Sequence, residues 1–591
     1  MTQSRNIASK LSDSNNNTAY GSNALKTNTT GNYNTGVGAG ALQLNTTGIY
    51  NTAFGGNALN FNTIGINNTA LGLAALANNT TGNNNTAVGI GALQTNVTGV
   101  ENVAIGINPL NKSTASYNTA VGSGALFNNT TGTANVAVGT NTLLSNTIGA
   151  SNVAIGKDAM YANTTGDNNT AVGFQTLFYN TTGYNNAGFG NFALGLNTTG
   201  AQNTAVGRES LYANTIGINN TAVGYLSMRQ NTTGSGNTAI GLQASYTNTV
   251  GTDNTALGAA ALYNNTASEI TAIGSYALNA NTTGISNTAV GRVALLNNTT
   301  GSYNTAVGMY SSTANQTGVR NTSVGYQSLR WNTTGTNNTA IGYDALRENT
   351  TGNFSVAVGD GALASNTTGY ENSVLGSRVA ESITTGIDNV AMGRLTLASL
   401  TTGSYNTAIG VVAGRYLQSG SGMTGNSNTT TIGYDARVSG DNQVQCGNSS
   451  TSFYAYGAYN NRSDIRDKAD VRDTSLGLDF INRVRPVEFK WDYREDYQVK
   501  VEETLEDGTI VEKMVQQEKD GSKTRNRYHQ GVIAQEVKAV MDELGVDFAG
   551  YQDHKIAGGD DVLTIGYTEF IAPLIKAVQE LSAKVAALEA K

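Results

Sequence analysis

At 591 residues, with 71 glycines, 3 prolines and 13% charged residues, the chain is too long for one core and too poor in proline for a collagen. Asn, Thr, Gly, Ala and Val recur in fixed order, which sets it apart from disordered chains. Residues 461–591 hold 19 of the 34 Lys+Arg and 26 of the 41 Asp+Glu, so the first 460 carry 15 of each sign and lack the basic stripe that nucleic-acid binding needs.

Residues 1–16 precede the repeat as a separate N-terminal segment. Met1 to Ala8 includes Arg5 but no apolar run follows, so the stretch does not read as a secretory signal. No window is long and apolar enough to span a membrane, so insertion is not expected. An exterior protein without a signal is most simply released by lysis. Cys446 is the only cysteine, which leaves no intrachain disulfide.

From residue 17 to 410 one unit recurs, close to G-x-x-N-T-A-V-G-x-x-A-L-x-x-N-T-T, with a period of seventeen and 24 copies. The T-T-G glycine falls at Gly31, Gly48, Gly65, Gly82 and Gly99, and two units ending at Ala115 and Ala267 are one residue short. A fixed short period over hundreds of residues predicts a solenoid whose units bury their apolar side against neighbours. N-T-A-V-G reads as a short strand and the A-L pair as a second. Asn and Gly at the N-T-T-G corner are expected to take the left-handed backbone, with the Thr hydroxyls bonding the backbone locally. Each unit is therefore one coil of a parallel β-roll or β-helix. About four apolar residues per coil make a thin core, so three chains packed together are expected.

The glycine pairs of the repeat imitate phosphate loops without a following helix, and the repeat lacks the aspartate of calcium-binding β-rolls, so no cofactor or metal is expected. Tyr33, Tyr50, Tyr117, Tyr303 and Tyr405 share the position just before N-T. Such a row can cover a corner or stack on sugar rings. The unit also resembles the head repeats of trimeric bacterial autotransporter adhesins, whose N-A-x-A-I-G-x-x-A-x-A units form trimeric left-handed β-rolls. Three extra residues lengthen one corner here.

Residues 411–460, where the period decays, read as a β neck. At the seam, Asn461 to Lys468, a hydroxyl at Ser463 stands five residues before an amine at Lys468. Such a pair can cut a peptide bond if burial lets the lysine act as base. Beyond it, Asp473 to Asn482 reads as a helix, Val487 to Trp491 as a strand, and Ala534 to Glu543 as a helix. Asp507-Gly508 and Asp520-Gly521 each supply a two-residue hairpin turn. His529 and His554, the only histidines, are too few for a metal site. Ile571, Leu574, Val578, Leu581, Val585 and Leu588 form a heptad seam, which predicts an intersubunit coiled coil over residues 571–591.

S-D-I-R-D-K, then L-G-L-D-F-I from Leu476, R-P-V-E-F-K-W from Arg485 and H-Q-G-V-I-A-Q-E-V from His529 follow one another in an order that resembles the C-terminal intramolecular chaperone of phage tail spikes and fibres, the peptidase S74 family, over residues 461–591. The resemblance implies a domain that helps three chains assemble a β-rich fibre and then removes itself by one cut at the serine. Ser463 would be the nucleophile and Lys468 its base, with Arg462 and Ser463 marking the cleavage site and the side that is cut left open.

The expected molecule is mostly β: a trimeric 17-residue-repeat solenoid followed by a small α+β chaperone domain. Its expected role is a virion tail fibre of a phage or phage-like particle, made in the host cytoplasm. It would bind the tail or baseplate through its N-terminus and a polysaccharide or protein receptor on the host, with enzymatic activity limited to a single-turnover self-cleavage. The alternatives are a polysaccharide-degrading spike, which needs two carboxylates across a groove, and a bacterial trimeric adhesin.

Overall fold

The computed structural model describes residues 14–452, 463, 465–504, 510–554 and 562–591. The expected N-terminal attachment segment falls almost wholly outside them, as do Arg462 and Asp507-Gly508. The chain divides into two compact units, Met1–Asn321 and Thr322–Lys591.

The first unit is a solenoid. Its described residues contain eighteen three-residue strands, from Thr18–Tyr20 to Thr305–Val307, stacked in parallel and in register, as where Ala87 lies opposite Ala104. In Thr86–Val88 the central alanine points inward and its neighbours outward, the alternation that the pleat imposes. Each coil thus has one strand, and the Ala-Leu pair expected to be a second is a turn. Leu93 takes a left-handed φ of 50°, while its side chain is fully buried and its amide donates to the Pro109 carbonyl of the next coil at 3.0 Å. The left-handed backbone costs about 1–2 kcal/mol, and burying a leucine returns about 1.5–3 kcal/mol, so burial wins.

The apolar core is thinner than expected, three residues per coil such as Ala87, Ala92 and Leu93, because the valine of N-T-A-V lies on the outer face. Asparagine fills the rest. The backbone amide and the carboxamide of Asn85 donate to Asn68 Oδ1 at 3.0 and 3.1 Å, and the carboxamide also donates to the Gly99 carbonyl at 2.9 Å. A second ladder runs through the N-T-T asparagines, where Asn79 donates to Asn62 Oδ1 at 2.8 Å and to the Gly82 carbonyl at 3.0 Å. Both asparagines are buried; a buried amide is tolerated because each finds a partner one coil away.

The corner chemistry differs from the sequence expectation in three ways. The N-T-T asparagine is a buried rung, and the left-handed residues are elsewhere, at Tyr33, Tyr50 and Asn84, for example. The T-T-G glycine is required by close approach: a Cβ on Gly183 would lie 2.4 Å from both the Gly200 carbonyl and Asn180 Oδ1. Nor do the threonines bond locally, since Thr46 Oγ1 donates to the Thr63 carbonyl of the following coil at 2.9 Å.

The second unit has its own eight strands of the same kind of coil, from Thr322–Val324 to Val444–Cys446, with exposed Cys446 at the last. The C-terminal domain follows. Helix α1 (Leu478–Arg483) begins later than the predicted Asp473, because the Thr474 hydroxyl accepts the Leu476 amide at 3.1 Å in a turn that competes with the helix. Strand Val487–Lys490 pairs antiparallel with Tyr528–Gly531, and Gln498–Thr504 with Ile510–Gln516. Asp520-Gly521 is a turn, with Gly521 at φ 78°, but it joins no hairpin: no strand occupies residues 517–527. Helix α2 (Ala534–Leu544) ends on left-handed Gly545, and helix α3 spans Ile571–Glu589. Leu476, Phe480, Val537, Met541, Phe548 and Phe570 build the core of this domain, with the Phe548 and Phe570 rings 4.6 Å apart.

Candidate autoproteolytic seam

Ser463 and Lys468 meet. A turn of 3-10 helix at Ile465–Asp467 lies between them in the chain. Lys468 Nζ donates to Ser463 Oγ at 2.7 Å. Both residues are exposed, so within one chain the nucleophile and its candidate base are in hydrogen-bond reach but bathed in water. A solvated ammonium is no base; the chemistry needs burial from outside the seam.

The elements that follow the seam in the chain are held by the motif residues. Phe489 of R-P-V-E-F-K-W stands opposite His529 in the strand register and packs edge-on against Trp491 at 4.9 Å. Val532, Ile533, Ala534 and Gln535 line a cleft with Phe489, Trp491 and Tyr567, and the Val532 amide donates to the Tyr567 hydroxyl at 3.2 Å. Arg485 pairs with Glu536, its Nε at 3.0 Å, and holds that exposed carboxyl below the usual range. His529 is thus a sheet residue. Among the described residues no cluster of His, Cys, Asp or Glu is arranged to hold a metal, and no helix is long and apolar enough to cross a membrane.

Helix α3 divides its faces. Pro573 and Ala577 are buried on the domain, and Glu580 accepts the Leu478 amide at 2.9 Å. The heptad residues Ile571, Leu574, Val578, Leu581, Val585 and Leu588 are all exposed.

A set of polar contacts that sequence reasoning missed joins this domain to the last coils. Ser449 Oγ donates to Asp496 at 2.7 Å, and Asp496 also receives Arg525 at 2.7 Å. Arg437, held by Asp435 at 2.8 and 2.9 Å, reaches Gln498, whose amide donates to the Gln418 carbonyl at 3.1 Å. His554 Nδ1 lies 2.7 Å from Ser439 Oγ and 2.8 Å from Gln443 Nε2. Contacts between residues some 50 to 115 positions apart leave no local pattern, and the one available signal, a histidine outside any motif, was silent.

Residues 463–546 match the family model described as the chaperone of endosialidase, peptidase S74. This segment is a chaperone-of-endosialidase domain. The match begins at Ser463 itself and ends before α3, so the exposed heptad face is a feature of this chain beyond the matched chaperone segment. No curated protein and no solved structure matches the chain. A long β-solenoid followed by this chaperone fits a tail fibre or tail spike.

Proposed function

We propose that the protein is a homotrimeric tail fibre of a phage or phage-like particle, whose C-terminal chaperone drives assembly and then cuts itself off at Ser463. The observation that carries this reading is the 2.7 Å bond between Lys468 and Ser463 at the first residue of the chaperone match. Association through the exposed heptad face of α3 brings three seams together and takes the dyad out of water. Lys468 then accepts the Ser463 proton, Oγ attacks the flanking carbonyl, and the leaving amine takes that proton; water then hydrolyses the resulting ester, releasing a carboxylate and returning the Ser463 hydroxyl. Loss of the chaperone removes the assembly nucleus, so the fibre stays kinetically trapped. Exposed corner tyrosines, with Tyr33 and Tyr50 stacked at 5.2 Å, offer flat rings for sugars of a host surface, and the N-terminal segment docks on the tail or baseplate.

The test is expression of the whole chain with mass spectrometry of the product. A long fragment and a C-terminal one that meet beside Ser463 are expected, in a particle that sediments as a trimer. An intact wild-type trimer reduces the seam to a linker.

A further inference from the structure

The outward face of the strands is the part of the solenoid that the fold leaves uncovered. In every coil of the first unit the third strand residue points out and is apolar, from Tyr20 and Val37 to Val290 and Val307. Phe54, Leu71, Phe189 and Leu257 on this line are between 42% and 55% exposed. The first strand residue, also outward, is Thr, Val or Ala throughout.

Charge avoids this face entirely. The charged residues of the described coils of this unit fall at corners and turns, as with Glu101, Lys157, Arg208, Arg229 and Arg320, and none of the eighteen strands carries one. The line just past the strand glycine carries Leu73, Ile90 and Ile107 but is broken by Ser22, Ser123, Thr140, Lys157, Arg208 and Arg292. Only the strand line runs unbroken. The coils of the second unit repeat the pattern, with Val324, Ile341, Val358, Leu375 and Met392 on the line and Arg330, Asp344 and Asp360 off it.

Parallel sheets with apolar residues on both faces are ordinarily covered on both, and Val103-Ala104-Ile105 and Val153-Ala154-Ile155 read as such doubly buried strands. Eighteen half-exposed side chains sum to on the order of 1,000 Å², above the roughly 800 Å² per partner of a stable protein interface. A partner must present an apolar group once per coil, at the roughly 4.8 Å strand spacing. A copy of this chain carries that repeat over the same number of coils.

We propose that the outward strand face is the interface along which copies of this chain pack in register, placing Val206, Val223 and Ile240 of one chain against the same line of another. This rests on the trimeric fibre reading and adds to it the surface that joins the shafts. The assembled shaft then has its second core made of Val, Ile and Leu, while the tyrosine corners and the charges remain on the outside.

The test uses the full chain with Cys446→Ser. Val223→Cys, on the face, and Ile216→Cys, an exposed apolar residue off it, are treated with a short bismaleimide; Val206→Glu, Val223→Glu and Ile240→Glu are combined in a second variant, with Ile216→Glu as control. Chain-to-chain products from Val223→Cys at least tenfold above Ile216→Cys, and loss of most assembled chain in the triple variant with unchanged circular dichroism, are expected. If the wild type sediments as a trimer yet Val223→Cys gives no such products, the interface is elsewhere and the fibre reading stands. A monomeric wild type removes both. Cross-linking of Val223→Cys to any other species, identified by mass spectrometry, overturns the assignment, and the cysteine arm decides it even where the triple variant fails to fold.

Discussion

Glu580 of α3 accepts the backbone amide of Leu478, the first residue of α1, at 2.9 Å. The last helix is thereby fixed to its own domain by one face, with Pro573 and Ala577 buried beneath it, and its heptad face is turned to solvent. Leu581→Asp with Val585→Asp should abolish the trimer in analytical ultracentrifugation while leaving the domain folded. Glu580→Ala leaves an α1 amide without its carboxylate and should lower stability by about 1–2 kcal/mol, read by thermal unfolding, with the trimer retained.

The dyad predicts a qualitative result. Ser463→Ala and Lys468→Ala should each give uncut chains that still sediment as trimers, because neither side chain takes part in the heptad face. An unchanged cut in either variant, seen by mass spectrometry, removes that residue from the mechanism.

A cut at Ser463 would not by itself free the chaperone, since Asp496, Arg437 and His554 still hold it to the last coils. These contacts are hydrogen bonds in which at least one partner is neutral, and urea weakens them by solvating the polar groups. The two fragments should coelute in plain buffer and separate as urea rises. Asp496→Ala, which breaks the bonds to Ser449 and Arg525, should move that separation to lower urea.

An asparagine rung is worth more than its size suggests. Asn169 donates to Asn152 and Gly183 and accepts from Asn186, all buried. Asn169→Ala should cost about 1–3 kcal/mol for each buried group left unpaired, detected as faster hydrogen exchange over the adjoining coils. Asn168→Gly, at the neighbouring exposed left-handed position, should change exchange little.

The short coils give a rule for repair. Gly183→Ala drives a methyl into the Gly200 carbonyl and should destabilise the coil. In the units ending at Ala115 and Ala267 an alanine stands at that corner with one residue fewer before it, and the Asn254 and Asn265 carboxamides still reach the Ala267 carbonyl at 2.9 and 2.8 Å. Deleting Thr182 together with Gly183→Ala should recover much of the lost thermal stability.

The sequence by itself determined the period, the strand at N-T-A-V, the two helices of the chaperone and the Ser463–Lys468 pair, because each is a local pattern within one coil or one turn. It misplaced the second strand and the role of the N-T-T asparagine. A buried Leu93 with φ 50° has no local signature, since its strain is offset by burial in the core that the stacked coils share. Asn45, Asn62 and Asn79 look like turn residues in one coil and become a ladder only when coils stack. Tertiary structure alone decided that Val88 faces out while Ala87 faces in, that Glu580 reaches Leu478, and that the Ser463–Lys468 pair lies exposed on the single chain. All three depend on what packs against each residue across the fold, and period and spacing carry no information about that.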